Sequence, residues 1–176
     1  MSIDLFAEFE SSMVPRDGIV EIDLEYTPNY EEAEKEAREE LEIDDDDPIE
    51  LNSVNVYADD SDAQALADEI HWDELFSEGK DEVIAEFLAL DKYEQINALV
   101  SREYHGVSLE QAMGELDRMT FIHAESEDRL FDDWLEAPGA TFPDQFIYYL
   151  DREKIIKDHY HIMSVLVSGR IVATYK

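Results

Sequence analysis

The chain has 176 residues, with 46 Asp and Glu against 13 Lys and Arg, which gives a formal net charge of −33 at pH 7. This charge excludes binding of nucleic acid as a ligand, because DNA affinity comes from Lys and Arg that displace counterions. Since 44% of the residues are hydrophobic, we expect a folded protein. No cysteine is available for disulfides, and no apolar run approaches the 18 residues of a membrane helix. We therefore expect the protein to be soluble and cytoplasmic.

Residues 1–58 are predicted to form a strand–helix–strand module. Apolar and acidic side chains alternate over residues 19–24, a pattern typical of a strand. A Thr-Pro-Asn break then precedes a predicted helix over residues 30–41, in which apolar side chains recur at steps of three and four. Residues 44–48 read as a turn, and a second strand is predicted over residues 49–56.

Residues 59–106 are predicted to form a helical middle module with short loops. Ser and Asp side chains accept hydrogen bonds from the first turn of a helix, whereas glycine ends helices in the left-handed conformation. The predicted N-caps are Ser61, Asp81 or one of its neighbours, and Asp91, and the predicted helix ends are Gly79 and Gly106.

Residues 107–176 are predicted to form a C-terminal α/β module, which opens with a capping box at Ser108 and Gln111. Its remaining predicted elements are a strand over 120–124, a helix over 126–137, a helix from Pro143 towards Lys157, and a hairpin of strands 162–167 and 171–175 that turns at Ser168-Gly169. The predicted fold class is therefore α+β, an elongated chain of two or three small α/β modules with a helical middle and a C-terminal β-hairpin.

Residues 31–47, which we call the acidic segment, carry eleven carboxylates against one Lys and one Arg. The i,i+4 spacing predicts ion pairs between Glu31 and Lys35 and between Glu34 and Arg38, while the other helical carboxylates repel one another. As one helix of about 25 Å, the segment would carry about one net negative charge per 3 Å, on the scale of duplex DNA at about one per 1.7 Å. A solvated helix face followed by a loop is the ordinary explanation for such a run.

The negative charge is concentrated early in the chain. Residues 1–100 contain 32 acidic and 5 basic residues, whereas residues 101–176 contain 14 and 8. A net charge of magnitude about 2–8 suffices for solubility, and a larger excess destabilises the compact state by self-repulsion. We therefore interpret the excess as a surface that binds a basic partner. The predicted partner-binding residues are Glu31, Glu32, Glu36, Glu39, Glu40, Glu42, Asp44, Asp45, Asp46, Asp47, Asp59, Asp60, Asp68, Glu69, Asp73, Glu74, Asp81, Glu82 and Glu86.

No catalytic residue, cofactor or metal site is predicted. The sequence contains no phosphate-loop, dinucleotide, zinc-protease or serine-hydrolase motif. Residues 60–62 begin like a calcium loop, but the third ligand and the turn glycine are missing. His159 and His161 have the spacing of metal ligands on one face of a strand, although two ordinary surface histidines are the preferred explanation. We expect a protein that acts by binding and not as an enzyme.

The stretch from Ile122 to Asp158 carries a family resemblance. Two segments resemble the ArdA antirestriction proteins. The first, Ile122-His123 followed by Ser126-Glu127-Asp128, is similar to the family's Ile-His-Ser-Asp segment. The second, Pro143 followed by Tyr149-Leu150-Asp151 and Lys157-Asp158, is similar to its Pro…Tyr-Ile-Asp-Tyr…Arg-Asp-Leu segment. Arg152 and His159 depart from that pattern. ArdA proteins are acidic DNA mimics that block type I restriction-modification enzymes.

The resemblance implies three small α/β modules in an elongated, curved homodimer without catalytic activity. It also implies that the partner is a type I restriction-modification enzyme, whose basic DNA-binding groove the mimic occupies. Neither nucleic acid nor a membrane is an expected partner.

Two other classes of function fit the composition. One is an acidic mimic or adaptor that inhibits another DNA-binding protein, such as a CRISPR effector or a nucleoid protein. The other is a soluble protein of a halophilic host, whose acidity is only a solvation adaptation. The fourteen Ile residues argue against the halophile because halophilic proteomes usually deplete isoleucine. The uneven charge argues against it because solvent adaptation acts on the whole surface.

Overall fold

The computed structural model describes residues 3–14, 18–136 and 147–175. These residues form a mixed α+β fold with eight α-helices and two three-stranded antiparallel sheets, and the predicted C-terminal β-hairpin is confirmed. The strands are β1 (Ile3–Glu10), β2 (Ile19–Asp23), β3 (Glu50–Ala58), β4 (Phe121–Ala124), β5 (Tyr160–Val165) and β6 (Ile171–Tyr175). The helices are α1 (Tyr30–Glu40), α2 (Ser61–Ala67), α3 (Trp72–Ser77), α4 (Asp81–Ala89), α5 (Lys92–His105), α6 (Leu109–Glu115), α7 (Glu127–Glu136) and α8 (Arg152–His159), with a 3-10 turn at Leu116–Arg118.

The chain divides into two compact units, residues 1–96 and residues 97–176. This division differs from the three predicted modules of residues 1–58, 59–106 and 107–176. Helices α2 and α3 both pack against β3, so the first helices of the predicted middle module complete the N-terminal unit. The division falls within α5, between residues 96 and 97, and so coincides with neither predicted boundary, after residue 58 or after residue 106.

β1 is the central strand of the N-terminal sheet, whose order is β2-β1-β3. The side chains of Ile3, Leu5, Ala7 and Phe9 are buried, and the residues between them face the other side of the sheet. This strand is absent from the predicted elements, although its period of two is typical of a half-buried strand. The predicted strands that became β2 and β3 are its two neighbours.

The predicted acidic helix is confirmed as α1, which lies on the buried face of this sheet. Its N-cap is Asn29, and the predicted apolar stripe is confirmed because Ala33 and Ala37 are fully buried. Tyr30, at the start of the helix, meets the ring of Phe9 edge to face with the ring centroids 5.9 Å apart. Small alanines let the helix approach the sheet closely while its other faces reach water.

Most predicted helix caps are confirmed. Gly79 and Gly106 have φ angles of 69° and 62°, the left-handed conformation that glycine adopts after a helix. The Asp91 carboxylate accepts hydrogen bonds from the first turn of α5. Ser108 and Gln111 form the predicted capping box of α6.

One predicted N-cap is wrong, and another falls on a neighbour of the residue named for it. The N-cap of α2 is Asp60, whose carboxylate accepts hydrogen bonds from the first turn, and Ser61 is the first helical residue. The N-cap of α4 is Lys80, one of the neighbours of Asp81 that the prediction allowed, and the Asp81 carboxylate accepts a hydrogen bond of 2.7 Å from Asn29 Nδ2. Local sequence cannot reveal such a tertiary partner.

The C-terminal sheet has the order β4-β6-β5. Helices α7 and α8 cover one of its faces and bury Leu130, Phe131 and Ile156 in the core of this unit. In the central strand, residues 171–174 are each at most 3% exposed, so neighbours cover both faces. The hairpin turns at Gly169, where φ is 88°.

The prediction of one helix from Pro143 towards Lys157 is corrected. Residues 137–146, including Pro143 and the predicted break before it, lie outside the described residues. Residues 148–150 form a turn, and the Asp151 carboxylate then caps α8 by accepting a hydrogen bond of 3.1 Å from the Lys154 N–H. A continuous helix is therefore interrupted before residue 151.

Candidate protein-binding surface

The solvent-facing side of α1 carries five exposed carboxylates opposite the alanine stripe. Glu31 and Glu32 lie in the first turn, where the helix dipole stabilises negative charge, whereas Glu39 and Glu40 lie in the last turn, where the dipole opposes it. The whole helix carries six carboxylates and two basic residues. Over about 16 Å this is about one net charge per 4 Å, close to the 3.4 Å spacing of charges along one DNA strand.

One predicted ion pair of α1 is confirmed and the other is wrong. Arg38 donates to Glu34 Oε1 from Nη2 at 2.8 Å and from Nε at 3.0 Å. Lys35 Nζ lies 3.7 Å from Glu39 Oε1, and so pairs towards the C-terminus and not with Glu31. Both partners of this second pair are more than two-thirds exposed, so it stabilises the helix little.

α1 ends in a Schellman motif whose left-handed position is occupied by Glu42. The Ile43 N–H donates to the Arg38 carbonyl at 3.1 Å, and the Glu42 N–H donates to the Glu39 carbonyl at 3.3 Å. Glu42 has φ 54° and is the one non-glycine residue with positive φ in the described ranges. Since that conformation costs an L-residue about 1–2 kcal/mol and glycine almost nothing, an exposed carboxylate stands where glycine would be more stable.

The acidic segment does not continue as one 25 Å helix, because its last residues fold back onto the end of α1. Arg38 Nη1 donates to the carbonyl oxygens of Asp44 at 3.1 Å and Asp47 at 2.8 Å. The Asp47 carboxylate in turn accepts a hydrogen bond of 3.0 Å from the Asp44 N–H. The partly buried Arg38 guanidinium thus holds the Asp44–Asp47 run close to the C-terminus of α1, the negative end of the helix dipole.

The open face of the N-terminal sheet carries carboxylates that are absent from the predicted partner-binding residues. On β1, acids alternate with the buried apolar residues, and Glu8 lies directly opposite Glu21 of β2. Like charges in such cross-strand positions destabilise a sheet. Alternation along β1 is the signal that predicts this face. Its carboxylates are Asp4, Glu8, Glu10, Glu21, Asp23 and, opposite Glu10 on β3, Glu50.

Side chains of β3 hold the carboxylates of this open face in place. Asn52 Nδ2 donates to Glu8 Oε1, and Asn55 Nδ2 donates to Glu21 Oε1 at 3.0 Å. Beside them, Tyr57 contacts the ring of Phe6 with centroids 5.6 Å apart. The amides orient the two opposed carboxylates without neutralising their charge.

Sixteen of the nineteen predicted partner-binding residues are exposed. The other three are partly buried, and their carboxylates serve the fold: Asp47 closes the loop after α1, Asp60 caps α2 and lies 3.5 Å from Lys92 Nζ, and Asp81 accepts from Asn29. The exposed residues are Glu31, Glu32, Glu36, Glu39, Glu40, Glu42, Asp44, Asp45, Asp46, Asp59, Asp68, Glu69, Asp73, Glu74, Glu82 and Glu86.

The exposed carboxylates do not all form one patch. The Asn29–Asp81 hydrogen bond brings the first turns of α1 and α4 together, which places Glu31, Glu32 and Glu82 near one another. α1 packs on the β2 side of the sheet, whereas α2 and α3 pack on β3 at the opposite side. The carboxylates of α2 and α3 therefore surround a different edge from those of α1.

Burial perturbs one titratable group beside this surface. Packing of Tyr30 against Phe9 and Phe76 raises the pKa of the phenol above 10.0, Glu34 raises the pKa further, and Arg38 partly opposes the shift. Tyr30 is therefore neutral at physiological pH and acts as a packing residue at the base of α1.

The described residues offer little for catalysis. They contain no group of three or more His, Asp or Glu side chains that could hold a metal ion. His159 was one of the two histidines with the spacing of metal ligands. Its ring packs on Trp134 with the ring centroids 5.3 Å apart, so His159 has a packing role. A cleft of about 540 Å³ in the C-terminal unit is lined by Tyr104, Glu127, Glu153, Ile156, Lys157, Tyr160 and Met163.

Comparisons of the chain with protein-family models, with curated proteins and with solved structures found no match. The resemblance to the ArdA proteins stays a prediction. No helix within the described ranges is long and apolar enough to cross a membrane.

Proposed function

We propose that this protein is a non-catalytic DNA mimic, which occupies the basic DNA-binding groove of a host defence enzyme. A type I restriction-modification complex is the target that the ArdA resemblance favours. The acidic surface of the N-terminal unit supports the mimicry, because residues 1–96 contain 32 acidic and 5 basic side chains.

The observation that carries the proposal is the placement of carboxylates where they weaken the fold. Glu42 occupies a left-handed position suited to glycine, Glu39 and Glu40 lie at the negative end of the α1 dipole, and Glu8 faces Glu21 across two strands. Each placement is unfavourable for an isolated protein. A binding function explains them, because a basic partner attracts these carboxylates although they are unfavourable in the isolated chain.

Binding would follow the physics of DNA recognition with the charges supplied by protein. Carboxylates along α1 recur at about the spacing of phosphates along one strand. Lys and Arg in the groove of the target would contact them as they contact phosphates, and the displaced counterions would favour association at low salt. No bond is made or broken, so inhibition is stoichiometric and reversible.

The proposal is tested by titrating DNA against a preformed complex of a type I restriction-modification enzyme and this protein. We expect displacement of the protein by DNA, a fall of methylation and cleavage together, and weaker binding as salt rises. A stable ternary complex, or inhibition by far less than one protein per site, contradicts the proposal. Unchanged affinity from 0.05 to 0.2 M salt also contradicts it, since a DNA-like interface is strongly salt-dependent.

A further inference from the structure

β3 is an edge strand of the N-terminal sheet, and α2 follows it directly. The backbone groups of a strand alternate in direction, so every second residue of β3 turns its N–H and C=O away from β1. Gln64 of α2 identifies these residues. Its Oε1 accepts a hydrogen bond of 2.8 Å from the Ala58 N–H, and its Nε2 donates to the Val56 carbonyl at 3.1 Å. By the same alternation, Val54 also faces outwards.

The side-chain amide of Gln64 takes the place of one peptide group of a neighbouring strand. It bonds the Val56 carbonyl and the Ala58 N–H but reaches no further along the edge. In the part of the chain that the structure describes, the Val56 N–H and both backbone groups of Val54 have no hydrogen-bond partner. Outward backbone groups of this kind form a template to which an extended chain can add as a strand.

The apolar side chains at this edge are incompletely covered. Val54 and Val56 lie on the buried face of the sheet, where they stand opposite Ala7 and Leu5 of β1. Ala7 and Leu5 are fully buried, whereas the two valines are only partly buried. A strand added beside β3 would cover the valines and extend the apolar face of the sheet.

A groove of about 330 Å³ lies between this stretch of β3 and residues 68–73. Val54 and Val56 line it from the strand, and the exposed residues Asp68 and Asp73 line it from the opposite side. Asp68 Oδ1 also accepts a hydrogen bond of 2.7 Å from Gln64 Nε2, which orients the carboxylate without neutralising its charge. The groove therefore combines outward backbone groups with two carboxylates.

The charge around this edge selects the chain that can occupy it. Residues 50–79, which comprise β3, α2, α3 and their connections, contain nine Asp and Glu and no Lys or Arg. Charged edges commonly prevent strand pairing, but carboxylates repel only acidic chains, of which a second copy of this protein is one. A segment that carries Lys or Arg would instead place its cations against Asp68 and Asp73.

We propose that the β3 edge binds an extended, Lys- or Arg-rich peptide segment of a partner protein, which adds to the sheet as a fourth strand. The backbone of the segment bonds Val54 and the Val56 N–H, and its basic side chains pair with Asp68 and Asp73 across the groove. This docking site goes beyond the DNA mimicry proposed above, because it requires hydrogen bonds from the backbone of β3 and not charge alone.

The test uses a fluorescent peptide of alternating Lys and Val residues, whose binding to the wild-type chain is followed by anisotropy at low salt. We expect saturable binding. The control peptide has the same sequence with a methyl group on every backbone nitrogen, which keeps each charge and removes each N–H donor. It should bind about tenfold more weakly, since the loss of one or two hydrogen bonds corresponds to a factor of this order.

Val54→Pro tests the edge from the side of the protein. Proline removes the outward N–H of residue 54 and leaves the ladder to β1 intact, because an edge strand tolerates proline where its N–H faces solvent. Affinity for the Lys-Val peptide should fall about tenfold. Val54→Thr is the matched control, because it keeps both the N–H and a branched side chain, and its affinity should stay within about twofold of the wild type.

Hydrogen exchange supplies a readout that needs no variant. Bound peptide should slow the exchange of the Val54 and Val56 amides in the wild-type chain, because strand addition places both in hydrogen bonds. Attraction between charges alone would leave the exchange of these amides unchanged.

The two carboxylates are tested by Asp68→Asn/Asp73→Asn, which should weaken binding of the Lys-Val peptide severalfold. Asp45→Asn/Asp46→Asn removes the same charge from exposed residues beside α1 and should have less effect. Strand addition is overturned by equal binding of the methylated peptide, by unchanged affinity of a folded Val54→Pro variant, or by unprotected Val54 and Val56 amides. A wild-type chain that does not bind the Lys-Val peptide overturns the docking site itself. None of these measurements contains a restriction-modification enzyme, so the DNA mimicry stands or fails separately.

Discussion

The two sheets have the same number of strands and the same antiparallel pairing, but they differ in what covers them. The central strand β1 buries every second side chain and presents acids on its open face, whereas residues 171–174 of the central strand β6 are buried on both faces. Only a sheet with one open face can display carboxylates to a partner, because a buried carboxylate must find a compensating charge or hydrogen bonds. The N-terminal sheet therefore has one open face, whereas both faces of the C-terminal sheet are covered.

The largest expected effect tests whether the N-terminal unit alone binds the basic partner. Replacement of Glu32, Glu36, Glu39 and Glu40 by Gln should weaken binding to a type I enzyme on the order of a thousand-fold at 0.15 M salt. It should also reduce the slope of log affinity against log salt by about 4, because each neutralised contact contributes about 0.9. Affinity can be measured by fluorescence anisotropy over a salt series.

The matched control neutralises the same number of exposed carboxylates in the C-terminal unit. Its substitutions are Asp117→Asn, Glu125→Gln, Asp133→Asn and Glu136→Gln. The affinity for the enzyme should fall by less than tenfold. If the control loses as much affinity as the α1 variant, then total charge drives binding and the contrast between the units fails.

Arg38→Ala sharpens the contrast by removing the cation that organises the acidic segment. The guanidinium bonds Glu34 and the carbonyl oxygens of Asp44 and Asp47, and its side chain is only 16% exposed. Its loss should lower the free energy of unfolding by about 2 kcal/mol. Lys35→Ala, at a side chain 76% exposed, should change it by less than about 0.5 kcal/mol. Urea denaturation measures both.

Glu42→Gly separates stability from binding at a single residue. Glycine adopts φ 54° without the penalty of a side chain, so the free energy of unfolding should rise by about 1 kcal/mol. Affinity for the basic target should fall severalfold because one carboxylate is lost. A variant that is both less stable and a better binder contradicts the argument that this carboxylate weakens the fold but serves recognition.

The smallest expected effect concerns salt and the two central strands. Residues 1–96 carry a net charge of −27 and residues 97–176 a net charge of −6. Because the Debye length falls from about 30 Å at 0.01 M to about 8 Å at 0.15 M salt, screening should stabilise the first unit more. Hydrogen exchange should show a larger gain in protection for β1 amides than for β6 amides. Equal gains would mean that the charge difference does not govern local stability.

The sequence predicts those features that depend on local chemistry. The α1 stripe, the capping box at Ser108, the glycine helix ends and the terminal hairpin follow from periodicity and capping residues. The ion pair of Lys35 with Glu39 could not be predicted, because Glu31 and Glu39 are both four residues away. Asp81 was equally ambiguous, since its partner Asn29 is distant in sequence.

The candidate surface was predictable in composition but not in shape. Sixteen of its residues are exposed as expected, since carboxylates rarely become buried without a partner. The fold-back of the Asp44–Asp47 run depends on one guanidinium reaching two carbonyl oxygens, which no local pattern specifies. The acids of β1 were missed because the strand itself was missed.

The side chain of Gln95 links the two ends of the N-terminal unit. Its Oε1 accepts a hydrogen bond of 3.1 Å from the Ile3 N–H, and its Nε2 donates to the Phe87 carbonyl at 3.2 Å, with the residue 1% exposed. During synthesis, β1 leaves the ribosome before α5, and Gln95 emerges more than ninety residues after Ile3. Helices α1 and α2 can pack against β1 earlier, but the Ile3 N–H lacks its partner until α5 has been made, so the N-terminal unit is complete only at that point.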